Sequence, residues 1–135
     1  MIADYPSGPV LLDTEAFLWA AIEPEHLSTL ARAVCESPQY TLMISPATLA
    51  EILIKPGTGK LPPDVTPKWF YRQAENLRAI HVRIGAREVE TSFRLPQIHR
   101  DPFDRLIIAT ALEQPRPLLT CDETIRQYPA VLHVR

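Results

Sequence analysis

The feature that most constrains this chain is the alternation of short, continuously apolar runs with helix-length segments. Val10–Leu12, Thr41–Ile44, Ile80–Ile84, Leu118–Thr120 and Val131–Val134 each suit a strand. Between them lie segments with apolar residues at helical spacing, such as Leu27, Leu30, Ala31 and Val34 after Pro24. Strands that alternate with helices imply an α/β fold with a mainly parallel sheet. Strands that are apolar on both sides imply helices over both faces. Ligands of such sheets sit at the carboxyl ends of the strands.

Local signals place the helices. Thr14 is read as the cap of a first helix through Phe17, Leu18 and Trp19, and Pro24 as the start of a second. Pro46–Lys55 forms a third. Thr66 followed by Pro67, and Asp101 followed by Pro102, are each a capping side chain before proline at the first helical position. Ala86–Leu95 is a further helix, stopped by Pro96. Residues 56–65 hold Pro56, Gly57, Gly59, Pro62 and Pro63 and read as a loop. With 135 residues, the chain divides into a lead-in over 1–9 and one domain over 10–135.

Carboxylates fall at chemically telling places. Asp13 follows the first strand and Asp122 the fourth. If those strands are neighbours, the two acids face each other across one sheet edge. Taken alone, Asp13 reads as a turn or capping residue of the helix that follows it. Glu51 shares a helical stripe with Thr48 and Lys55, a pattern that a narrow solvated face also produces. Asp104 opens a helix that is apolar nearly all round, above Ile107, Ile108 and Ala111. A carboxylate there needs compensation, from Arg105 or from a metal ion. Asp101 reads as the cap of that helix, at the edge of the same acidic region.

Buried carboxylates brought together repel one another, and a hard divalent cation relieves the repulsion. Such an ion can support phosphodiester hydrolysis with no histidine or serine nucleophile. Only four glycines are present, and neither a phosphate-binding glycine loop nor a dinucleotide fingerprint occurs. Cys35 and Cys121 read as small buried hydrophobes, and the four histidines are scattered. The formal net charge of −2 argues mildly against a nucleic-acid binder, although a bound cation would change the local balance. No signal peptide and no membrane-length apolar run is visible, so a soluble, cytoplasmic protein is expected.

Four segments together resemble PIN-domain proteins, in order and over nearly the whole chain from Val10. They are Leu11–Thr14 with Phe17–Trp19, Ile44–Ile52 with Lys55 and Gly59–Leu61, His99–Leu106 with Ile108 and Ala109, and Leu118–Asp122. The third is the most specific. The branch they are most similar to is the VapC-type toxins of bacterial toxin–antitoxin pairs. That resemblance implies a PIN-like three-layer α/β/α sandwich with a five-stranded, mainly parallel sheet. It implies an endoribonuclease dependent on Mg²⁺ or Mn²⁺, a homodimer, and a cognate VapB-type antitoxin. Carried over, Asp13, Glu51, Asp104 and Asp122 are the catalytic and metal-binding acids, with Thr120 and Asp101 supporting them. Ala50 stands where this branch often has Trp, and Cys121 where relatives are often basic.

RNA phosphates need cationic neighbours. Candidates are Lys55, Lys60, Arg100 and Arg105, with Arg72, Arg78, Arg83 and Arg87 as a second run. Trp69, Phe70 and Tyr71 could stack bases, although Trp69 and Phe70 suit a core or dimer contact better. Two other classes compete: a metal-dependent phosphatase, and a non-catalytic PIN-like or receiver-like binding module. A phosphatase of this type would carry a second Asp two residues after Asp13, where Glu15 stands. A receiver would carry a Lys after a late strand.

Overall fold

The computed structural model describes residues 7–55 and 65–128, and the backbone of 133 and 134. Lys60 and the other loop residues from 56 to 64 lie outside the described residues, as do 1–6. The elements are β1 (Gly8–Leu12), α1 (Thr14–Ile22), α2 (Thr29–Glu36), β2 (Tyr40–Ile44), α3 (Pro46–Ile54) and α4 (Pro67–Asn76). They continue with β3 (Ile80–His81), α5 (Ala86–Arg94), α6 (Pro102–Glu113), β4 (Leu118–Leu119) and β5 (His133–Val134).

The strands lie in the order β3-β2-β1-β4-β5, and every pairing is parallel. Side-chain alternation divides the sheet into two faces. Val10, Leu12, Leu42, Ile44 and Leu119 point to one face, where Phe17 of α1, Val34 of α2 and Phe70 of α4 cover them. Leu11 and Leu118 point to the other and pack with Ile107, Ile108 and Ala111 of α6. Helix α5 lies against α6. The continuous apolar runs are thus strands buried on both sides.

Helix starts follow the chemistry of their caps. Ser45 Oγ accepts from Ala47 N at 3.0 Å, Thr66 Oγ1 from Trp69 N at 3.1 Å and Asp101 Oδ1 from Phe103 N at 2.9 Å. Each precedes a proline at the first position, which needs no N–H partner.

Three expectations change. Asp13, not Thr14, caps α1, accepting from Ala16 N at 2.7 Å. Pro24 opens only a 3₁₀ turn, Pro24–His26, and α2 starts afresh after Ser28, whose hydroxyl accepts from Ala31 N at 3.1 Å. The third strand is two residues long rather than five, because it lies at the sheet edge with one neighbour. Phe70 is buried against Phe17, with ring centroids 5.3 Å apart, so it is core and not a base-stacking platform. Trp69 packs edge-on to the same Phe17. No helix among the described residues is long and apolar enough to cross a membrane.

Candidate metal centre

Chain order reverses at β1, which has β2 on one side and β4 on the other. Crevices at such switch points, outside the carboxyl ends of the strands, are where open α/β sheets hold ligands. Asp13 and Asp122 leave the ends of the neighbouring strands β1 and β4 at that crevice, and Asp13 N donates to Leu119 O at 3.2 Å. Helix α3 brings Glu51 from one side. Its buried Thr48 takes a hydrogen bond at 3.3 Å from Thr14 of α1, which fixes how the two helices meet. Helix α6 brings Asp104 in its first turn and packs on α3.

The two central acids are held almost out of water. Burial pushes the Asp13 carboxyl up to about 7, against bonds from Thr120 and Ala16 that pull it down. Burial likewise pushes Asp104 up to about 8, and the charges of Glu51, Asp101, Asp13 and Asp122 add to it. Thr120 is buried; its hydroxyl donates to Asp13 Oδ2. The same oxygen accepts from Asp122 N at 3.0 Å, so one hydroxyl ties the two strand-end acids together. Asp122 Oδ1 in turn accepts from Thr124 N at 2.7 Å.

Arg105 does not pair with Asp104, and it is not a surface cation that RNA could reach. It is buried, and its guanidinium donates to the carbonyls of Ser92, Leu95, Pro96 and His99 at 2.8–3.1 Å. The Tyr128 hydroxyl completes this clamp. It accepts from His99 N at 2.9 Å and donates to Pro96 O at 2.9 Å. Arginine's rigid fork of five donors suits such a cage of carbonyls. The clamp fixes the turn that leads into α6.

That turn presents a residue the sequence reading passed over. His99 Nε2 lies 3.2 Å from both Asp104 Oδ2 and Asp122 Oδ2. Its Nδ1 accepts from Asp101 N at 3.0 Å, so a neutral ring carries its proton on Nε2, facing the two acids. The available signal was the spacing: a histidine five residues before Asp104, ahead of an Asp-Pro helix start.

Asp101 is both the cap of α6 and part of the acidic rim. Burial raises its carboxyl, but Lys55 and the N–H groups of Phe103 and Asp104 outweigh that and hold it below the usual carboxylate range. Arg100 is exposed. Arg72, Arg78, Arg83 and Arg87 are exposed as well, and Arg87 pairs with Glu113 at 3.5 Å.

Oxygen atoms dominate the donor set. Ligand-capable atoms of His99, Asp104 and Asp122 lie within 4.8 Å of one another, as do those of Glu51, Asp101 and Asp104. Glu51 Oε1 is buried with no hydrogen-bond partner. A buried acceptor left unmatched beside carboxyls that resist ionisation fits a hard divalent cation.

Comparison with known proteins agrees with this fold. The family model for the PIN domain matches residues 10–131. No curated protein matches. Among solved structures, VapBC2 from Rickettsia felis bound to a DNA fragment from their promoter has a chain that superposes with a TM-score of 0.64 at 16% identity, covering 93% of this chain and 97% of that one. FitAcB from Neisseria gonorrhoeae gives a TM-score of 0.58 at 15% identity, covering 93% and 96%.

Proposed function

This chain belongs to the PIN-domain family, and on that premise we propose that it is an endoribonuclease dependent on Mg²⁺ or Mn²⁺. What supports the reading is Asp104, within ligand distance of Asp122 on one side and of Glu51 on the other and raised by the charge of Asp13, with Asp13 and Asp104 too buried to ionise readily unless a cation joins them. Those four acids would hold the ion, and Thr120 and Asp101 would support them. When bound, the ion supplies Lewis acidity, making water a better nucleophile and offsetting charge on the phosphate.

The chain's own groups prepare the rest. Thr120 orients Asp13 and Asp122 through one hydroxyl. His99 holds Asp104 and Asp122 at a common distance, while the Arg105–Tyr128 clamp holds His99. Lys55 at the rim and exposed Arg100 would be the described cations that meet a phosphate backbone. Lys60 belongs to the same expectation.

The sequence motifs support a narrower reading as a VapC-type toxin, acting in the cytoplasm as a homodimer and silenced by a VapB-type antitoxin. Expression in a bacterium lacking any antitoxin tests it. Growth should stop with the wild type and continue with Asp104→Asn, and RNA sequencing should locate the cuts. Arrest by both proteins would refute the carboxylate mechanism. Arrest by neither, with no Mn²⁺ binding by calorimetry, would leave a non-catalytic binding module.

A further inference from the structure

Two groups of possible ligands share Asp104 in this centre, and one already contains a cation. Lys55 stands at the carboxyl end of α3. Its Nζ lies 3.4 Å from Glu51 Oε2 and also contacts Asp101 Oδ2, across 46 residues of sequence. The ring of Phe103 lies beneath it, with the ammonium 5.6 Å from the centroid. The ammonium thus reaches two of the three carboxylates in the Glu51–Asp101–Asp104 group.

This leaves few atoms for a second ion there. Asp101 spends Oδ1 on the Phe103 N–H and Oδ2 on Lys55. Glu51 gives Oε2 to Lys55 and keeps Oε1 buried and unmatched. A divalent ion among those three acids would stand against the ammonium, with strong like-charge repulsion in a partly buried setting. The acceptors not committed to Lys55 are Glu51 Oε1 and the carboxyls of Asp13, Asp104 and Asp122.

We propose that the Lys55 ammonium occupies the second cation position of the centre, so that the site takes one divalent ion and the lysine supplies the other positive charge facing the phosphate. The proposal rests on the metal-dependent nuclease reading. It goes beyond an ordinary Glu–Lys pair one helical turn apart, which would affect stability alone.

The test is Mn²⁺ titration of the full-length, chelator-treated protein, read by calorimetry and by electron paramagnetic resonance. Wild type and Lys55→Arg should bind one ion per chain, with an uncoupled Mn²⁺ spectrum. Lys55→Met, and Lys55→Gln as a second neutral variant, should bind two ions with an exchange-coupled spectrum. Two ions in the wild type, or one ion in both neutral variants, would overturn the lysine's role and leave the nuclease reading standing. Two ions in the wild type would overturn it even if a variant fails to fold, and the second neutral variant keeps the comparison open if the first does. No ion bound by any of the proteins would overturn both readings.

Discussion

Replacing Asp104 by Asn should stabilise the metal-free protein while abolishing its metal site. Asp104 is about 85% removed from solvent, with 15% of its side chain exposed. Its carboxyl rises from 3.8 to about 8 on folding, first through burial and then through four neighbouring acids. The folded state therefore holds a proton that the unfolded state has lost at pH 7. The penalty is absent below about pH 4, grows from there, and saturates above about pH 8. At pH 7 the group stands about 3 pH units above its unfolded value, which at ~1.4 kcal/mol per unit costs about 4 kcal/mol. For a chain of this size that corresponds to about 15 °C in Tm. Urea unfolding in chelator, for both proteins from pH 4.5 to 8, measures the gap. It should widen with pH. A variant no more stable than wild type at pH 8, or a gap that does not depend on pH, would refute burial of the Asp104 charge as its source.

Other consequences of the same site are open to measurement. Added Mn²⁺ at 100 times its Kd should stabilise the wild type by about 2.7 kcal/mol and leave Asp104→Asn unmoved in a thermal melt. Asp13 and Asp104 must each release a proton to bind an ion, so between pH 5.5 and 6.5 the apparent Mn²⁺ affinity should rise ~10- to 100-fold per pH unit; a flat calorimetric profile would contradict the raised carboxyls. Thr120→Val keeps the shape but removes the hydroxyl bond to Asp13, moving that affinity curve up by about one pH unit; an unmoved curve would remove Thr120 from the site. Arg105→Met removes a buried guanidinium and strips the donor from four carbonyls, that of Leu95 buried and the others partly so, and should cost about 3 kcal/mol in urea unfolding. Hydrogen exchange should then show lost protection at His99 N, and retained protection there would separate the clamp from the turn it is argued to hold.

Much of this protein was legible in the sequence because its local rules agree. Short apolar runs between helices dictated a parallel sheet covered on both faces. The Thr66–Pro67 and Asp101–Pro102 pairs located two helix starts, since a capping oxygen before a residue without an N–H has few other uses. Asp13 and Asp122 were identifiable as strand-end acids, and Asp104 as a carboxylate on a helix otherwise apolar nearly all round. Pro24 misled, because proline at a first position suits a 3₁₀ turn as well as an α-helix, and Ser28 supplied the cap that α2 required.

Tertiary structure decided everything that depended on which distant groups meet. The adjacency of β1 and β4 gave Asp13 two roles at once, helix cap and site acid, where local reading had offered them as alternatives. Arg105 is a charged residue beside a charged residue in sequence, yet consecutive helical side chains point about 100° apart, which sends one into the crevice and the other into a cage of carbonyls. His99 read as one of four scattered histidines and Lys55 as a candidate phosphate contact, until the fold set one between Asp104 and Asp122 and the other between Glu51 and Asp101. Periodicity and capping are local and act within a few residues, so a sequence displays them. A raised carboxyl or a lysine shared by two acids is a property of burial and of distances across the sheet, and exists only once the chain has closed.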